Sequence, residues 1–306
     1  MKKLDVNWDG VHDSTGFLFS FAKSLACAVK HSPWAEYAED NVATSGFAFR
    51  MWVHADLCPS ATSVWEFDRQ KDWVENGGLA CDHVGRYWGQ DDLEERRRHA
   101  AIENIRRSID SGIPAIAWDI GVPEWGLITG YDDEARQFAV LSVVSNEPSS
   151  MPYDQLGKRE IPILSVLTLT GASGKPPKDI LRGTKKLAVT HLTGGEWCSN
   201  AKGLDAYPEL IRHFGEQANP DLSWNMEYYL GTYGALKFYA WKYFARMDEK
   251  ELAAIYRDVH EAWLEAFNIK KNRSISLPET RKEIAALLES AHALEREAVE
   301  RMSGAA

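Results

Sequence analysis

Apolar residues recur at helical spacing from Phe17 to His31, where Phe17, Phe21, Leu25, Ala28 and Val29 share one face. Ser14, Thr15 and Gly16 supply a start signal just ahead of it, so the segment is read as an N-terminal helix. Thr44 to Val53 (TSGFAFRMWV) and Leu57 to Ser63, which contains Pro59, read as loop and short strand. Glu94 to Ser111 returns to the helical period with a charged outer face and ends at Gly112 and Pro114. The pattern then shortens. Pro114 to Asp119 (PAIAWD), Trp125 to Tyr131 (WGLITGY) and Phe138 to Val144 (FAVLSVV) are brief runs bounded by Gly, Pro or paired Asp, and Ile161 to Leu169 adds a further run. Consecutive strands with short connections predict an antiparallel meander. Gly171 to Pro177 (GASGKPP) reads as a linker, and past it the helical period governs Lys178 to Thr193, Ala206 to Ala218, Trp224 to Ala245, Asp248 to Phe267 and Leu277 to Met302. The pattern therefore predicts an α+β fold, with a helix and antiparallel sheet over residues 1–172 and an all-helical domain over 178–306.

Composition narrows the partners. A chain of 306 residues with 44% hydrophobic content supports a substantial core. Its formal charge of -10 disfavours nucleic acid and anionic lipid as partners. Arg96, Arg97, Arg98, Arg106 and Arg107 are the densest basic run, but Glu94, Glu95 and Glu103 alternate with them, as on a solvated helix face. The first ten residues are polar, and no uninterrupted apolar stretch is long enough to span a bilayer, so a cytoplasmic location is expected. Cys27, Cys58, Cys81 and Cys198 lack the spacing of a disulfide framework or a zinc site. Without GxxxxGK[ST], GxGxxG, GxSxG or HExxH, no cofactor and no metal are expected. The 12 Trp residues are read mainly as core filling.

A helix, a Gly-aromatic segment, a second helix ending in SGIPAIAWD and the strand EWGLITGYDDE follow the order of papain-like cysteine peptidases of the bacteriocin-processing type, which the chain resembles. Its whole layout is also similar to the butirosin biosynthesis H-like proteins, in which such a domain precedes a helical one carrying a GL-x-AY element. Gly203 to Tyr207 (GLDAY) matches that element. The resemblance implies a thiolate at the start of the first helix, a His at the start of the following sheet strand, and an Asp or Asn that orients the His. Laid on this sequence, those positions fall at Ser20, Glu124 and Ser142. An alternative alignment uses Cys27 as nucleophile, but Cys27 shares the helix interior with Leu25 and Val29 and reads as core. Ser20 is preferred, because a nucleophile must lie in the first turn to feel the exposed amides.

The resulting expectation is a degenerate papain-like protein that binds a small molecule or an acyl or peptidyl group without peptidase chemistry. Trp118 and Trp125 would line the ligand, and a Gly-broken stretch (THLTGGEWCSNAKGLDAY) would contribute Glu196 and Asn200, unless these only cap helix ends. Two alternatives remain: an acyltransferase or amide hydrolase of secondary metabolism using Ser20 or Cys27 with Glu124 as base, and a dimeric scaffold joined through the aromatic run EYYLGTYGALKFYAWKYF. His54, Asp56 and Cys58 alternate on one face, and His83 adjoins Asp82. Both groups are read as polar surface rather than metal ligands.

Overall fold

The first long helix begins at Ser20, three residues later than its apolar period predicts. A turn delays it. The Asp13 carboxylate accepts from the Gly16 and Leu18 backbone N–H groups, Thr15 Oγ1 accepts from Phe17 N–H, and Gly16 adopts φ 81°. In a computed structural model that describes residues 1–215 and 218–304, the elements follow in this order. They are β1 (Lys2–Lys3), α1 (Ser20–Lys30), α2 (Ala38–Thr44), β2 (Trp52–Val53), α3 (Ser60–Ser63), α4 (Arg69–Asn76), β3 (Leu79–Arg86), α5 (Glu94–Asp110), β4 (Ala115–Ala117), β5 (Gly126–Asp132) and β6 (Gln137–Ser142). The chain continues through β7 (Ser149–Pro152), β8 (Leu164–Ala172), α6 (Pro177–Leu192), β9 (Ala201–Lys202), α7 (Ala206–Arg212), α8 (Ser223–Arg246), α9 (Lys250–Asn272) and α10 (Pro278–Gly304). The fold is mixed helix and antiparallel sheet followed by helices. The helix expected over Ala206–Ala218 stops at Arg212, and residues 216–217 within that span lie outside the described residues.

Two units emerge: Met1–His12, Ser20–Asn41 and Glu66–Lys175 form the first, and Asp13–Phe19, Val42–Trp65 and the chain from Pro176 onward form the second. The linker read at Gly171 to Pro177 contains the last crossing. The segments 13–19 and 42–65, counted by sequence with the N-terminal domain, fall in the second unit for visible reasons. Thr15 Oγ1 donates to the Gly231 carbonyl at 2.9 Å, and Phe17 packs where a Cβ on Gly231 would stand. β2 pairs antiparallel with β9, and Trp52 N–H donates to the Tyr233 hydroxyl at 2.8 Å.

In the first unit a seven-stranded antiparallel sheet runs β3-β8-β4-β5-β6-β7, with β1 on the edge of β5. β4, β5 and β6 make the expected meander. Sequence reading did not anticipate β3, because Asp82 and His83 interrupt its apolar alternation. α5 buries Ala101, Ile102, Ile105 and Ile109 against Ala115, Ala117, Ile128 and Val140 of the sheet. Of its arginines, Arg98 is largely covered, pairing with Glu94 at 2.7 Å and donating to the Leu156 carbonyl, while the exposed Arg106 pairs with Asp133 at 2.9 Å. Among the described residues no helix is long and apolar enough to cross a membrane.

The core of the second unit is α8, α9 and α10. Tyr229, Tyr233, Tyr239 and Tyr243 of the aromatic run are buried in it, while Trp224 at the start of α8 is exposed. The same core holds a fully buried ion pair, Lys237 Nζ to Glu295 Oε1 at 2.8 Å. The Tyr207 hydroxyl donates to the other Glu295 oxygen at 2.8 Å and accepts from Trp263 Nε1 at 2.8 Å. Tyr207, the last residue of the GLDAY element, thus anchors α7 to α9 and α10.

Candidate active site

Ser20 occupies the first position of α1, where backbone N–H groups lack partners within the helix and favour negative charge. The rest of the helix holds it there by burying Phe21, Ala22, Leu25, Ala28 and Val29. Opposite it, the connection between β4 and β5 is shaped by a sharp reversal. Asp119 has φ 60° and Gly121 φ 81°, Ile120 N–H donates to the Glu124 carbonyl at 3.1 Å, and Glu124 N–H donates to the Val122 carbonyl across Pro123. The buried Asp119 carboxylate accepts from Ile161 N–H at 3.1 Å and lies 3.6 Å from Arg159, whose guanidinium also donates to the Gly121 carbonyl. Burial, opposed by the Ile161 N–H bond and by Arg159, leaves the Asp119 carboxyl above the ordinary range.

This loop delivers Glu124 to Ser20. The Ser20 hydroxyl donates to Glu124 Oε2 at 2.5 Å and accepts from the Trp125 backbone N–H at 3.3 Å. The pair joins residues 104 positions apart. Behind it stands an aromatic wall in which the Trp125 ring meets Phe21 at 4.8 Å, Phe67 at 4.9 Å and Trp118 at 5.4 Å between centroids. The Trp118 indole N–H is buried with no hydrogen-bond partner among the described residues. Such a wall excludes water and strengthens the hydroxyl–carboxylate bond beside it.

Ser142 lies at the end of β6, paired in register with Gly126, and its backbone carbonyl accepts from Trp8 Nε1 at 3.1 Å. Its hydroxyl is buried and makes no hydrogen bond among the described residues. It therefore orients nothing. A Cβ on Gly121 would come within 2.9 Å of that hydroxyl, so the loop needs glycine there for close approach as well as for its positive φ.

Cys27 is fully buried two turns along α1, 3.1 Å from the Asn7 carbonyl, and burial pushes its thiol up to about 12. Burial thus disfavours a thiolate at this core position. Glu196 and Asn200 belong to the second unit. Burial would raise the Glu196 carboxyl, but Arg50 at 2.9 Å and His191 at 2.5 Å hold it down at about 2. Arg50 is itself fixed over the Trp52 ring and donates to the Thr62 and Val64 carbonyls. Glu196 pins its Gly-broken loop to the segment carrying Arg50 rather than presenting a carboxylate to a ligand. Asn200 N–H donates to Cys198 Sγ at 3.1 Å, a turn contact.

Several polar residues of the first unit escaped sequence reading. Gln70 Nε2 donates to Ser165 Oγ at 2.9 Å, Ser165 Oγ lies 2.9 Å from His83 Nε2, and His83 Nδ1 faces Asp68 at 3.6 Å. Burial holds His83 down at about 4, against the pull of Asp68, so the imidazole is neutral at pH 7. With Gln70 donating to Ser165, the Ser165 hydroxyl donates to His83 Nε2 and Nδ1–H points to Asp68. The connectivity is that of a Ser–His–Asp triad, with Ser165 1% exposed. His83 appeared in the sequence only as a neighbour of Asp82, and Gln70 and Ser165 carried no signal at all. His54 Nδ1 accepts from Asp56 N–H, and among the described residues no cluster of His, Cys, Asp and Glu could hold a metal ion.

Chemically, the Ser20–Glu124 pair offers a hydroxyl whose proton is already directed at a carboxylate. A carboxylate is ordinarily a weaker base than imidazole by about 2 pH units, which removes about 3 kcal/mol of driving force for proton abstraction. Compared with known proteins, the chain matches no family model and no curated relative.

Proposed function

We propose that the first unit is a degenerate papain-like domain that binds a small molecule or an acyl or peptidyl group at Ser20, Glu124 and the Trp118–Trp125 wall, without peptidase chemistry. The observation that carries this reading is the 2.5 Å hydrogen bond between Ser20 and Glu124. It supports a counterpart relation between these residues and a nucleophile–base pair, with both reactive groups replaced. A thiolate would cleave amides through its low pKa, and an imidazole would relay the proton. Neither is present at this pair. The remaining groups suit recognition: a hydroxyl, a carboxylate and an indole N–H beside apolar rings hold a polar head and an apolar body.

A second reading is favoured by the same contact. Ser20 Oγ would bond to an acyl carbon while its proton passes to Glu124, and Glu124 would return that proton to the departing alcohol or amine. The two readings separate by mass spectrometry of the intact protein after incubation with a fluorophosphonate. The binding reading expects no adduct at Ser20. A stoichiometric adduct at Ser20 that Glu124→Gln abolishes would establish the acyl-transfer reading instead.

A further inference from the structure

Strands β3 and β8, the C-terminal half of α5 and the turn after α1 line an open cleft of about 340 Å³ in the first unit. That volume falls at the small end of the roughly 300–1,000 Å³ range of ligand pockets. Its apolar lining comes from Trp34, Pro33, Ile113 and Leu169. The polar side is built from Asp82, Asn104, Arg107 and Thr170.

The charges in this lining cancel. The Arg107 guanidinium stands 3.8 Å from the Asp82 carboxylate and donates to the Asn104 side-chain carbonyl. A phosphate or carboxylate drawn to Arg107 would meet Asp82 at almost the same place, and an ammonium drawn to Asp82 would meet Arg107. A neutral ligand avoids both penalties. The guanidinium and amide N–H groups donate, while the carboxylate accepts and the Thr170 hydroxyl does either, so a ligand hydroxyl that both donates and accepts can be satisfied on every side. A ring with an apolar C–H face would lie flat on the Trp34 indole.

We propose that this cleft binds a neutral, hydroxyl-rich ring of monosaccharide size, stacked on Trp34 and held at its edge by Asp82, Asn104 and Arg107. The site shares no residue with the Ser20–Glu124 pair, so either can fail without the other. The test titrates the full chain with methyl glucoside, methyl galactoside, methyl mannoside and N-acetylglucosamine, followed by saturation-transfer NMR and intrinsic tryptophan fluorescence. At least one sugar is expected to saturate at millimolar concentration. Trp34→Ala and Asn104→Ala are each expected to weaken it by about tenfold, the worth of one lost contact of this kind. Asn104 is a half-buried position on the surface of α5, so its variant reports even if Trp34→Ala fails to fold. Absence of saturation by all four sugars, binding indifferent to Asn104→Ala, or displacement of the sugar by inorganic phosphate would overturn the proposal.

Discussion

His83 gives the most quantitative handle on the first unit. Its side chain projects buried from β3 beside Ser165 of β8, and burial, outweighing the pull of Asp68 and reinforced by Arg97 and Lys71, holds it down at about 4 against an ordinary 6.5. Folding therefore favours the neutral imidazole. Above pH 6.5 both folded and unfolded chains carry it neutral and its contribution is complete. Between pH 6.5 and 4 the unfolded chain takes up a proton that the folded chain refuses, so stability falls as the pH falls. At 1.36 kcal/mol per pH unit the loss sums to about 3 kcal/mol by pH 4. His31, His213 and His292 are also held below their ordinary values by burial and act in the same direction, so the wild-type slope alone does not isolate His83. The diagnostic is His83→Gln, whose amide can still accept from Ser165. Urea unfolding of both proteins from pH 7 to pH 4 should show the wild type losing about 3 kcal/mol more than the variant. Parallel pH profiles for the two proteins would refute the burial argument. Glu196, held at about 2, begins its own loss as the pH falls through 4.5, at the end of the window, but both proteins carry it and it cancels in the comparison.

Glu295→Gln should cost about 3–5 kcal/mol in urea unfolding, because it leaves Lys237 charged in a fully buried site, and the double variant Lys237→Met, Glu295→Leu should recover most of that loss. Gly121→Ala should cost about 1–3 kcal/mol by the same assay, since the position has φ 81° and the added methyl meets Ser142. A thiol reagent applied to the native protein should modify the exposed Cys58 but spare Cys27 and Cys81, both buried and pushed up to about 12, until urea unfolds the chain.

What the sequence made legible is what lies within one element. The period of three to four residues located α5, α8, α9 and α10, and short bounded runs located the meander. It also placed Ser20 near a helix start, although the side chains of Asp13 and Thr15, rather than the apolar period, decide that the helix begins at Ser20 itself. Pairings between elements were not legible. Arg50 meets Glu196, Lys237 meets Glu295, and Gln70 meets Ser165 only because the chain folds them together, and no spacing rule marks any of these six. Glu196 read as a ligand residue because a polar side chain in a Gly-broken loop looks available until its buried cation is seen. The segments 13–19 and 42–65 fall with the second unit for a related reason: their partners, Gly231 and β9, lie far along the chain.

Ser20 and Glu124 are proposed to recognise an acyl or peptidyl group without cleaving it. The direct measurement is a titration with short N-acyl peptide amides, observed by NMR with indole-labelled tryptophan while the free amide is monitored for hydrolysis. Saturable shifts at Trp118 and Trp125 are expected, with an intact amide throughout and binding weakened by both Ser20→Ala and Glu124→Gln. Release of the acyl product by the wild type, or binding that neither substitution alters, would contradict the proposal.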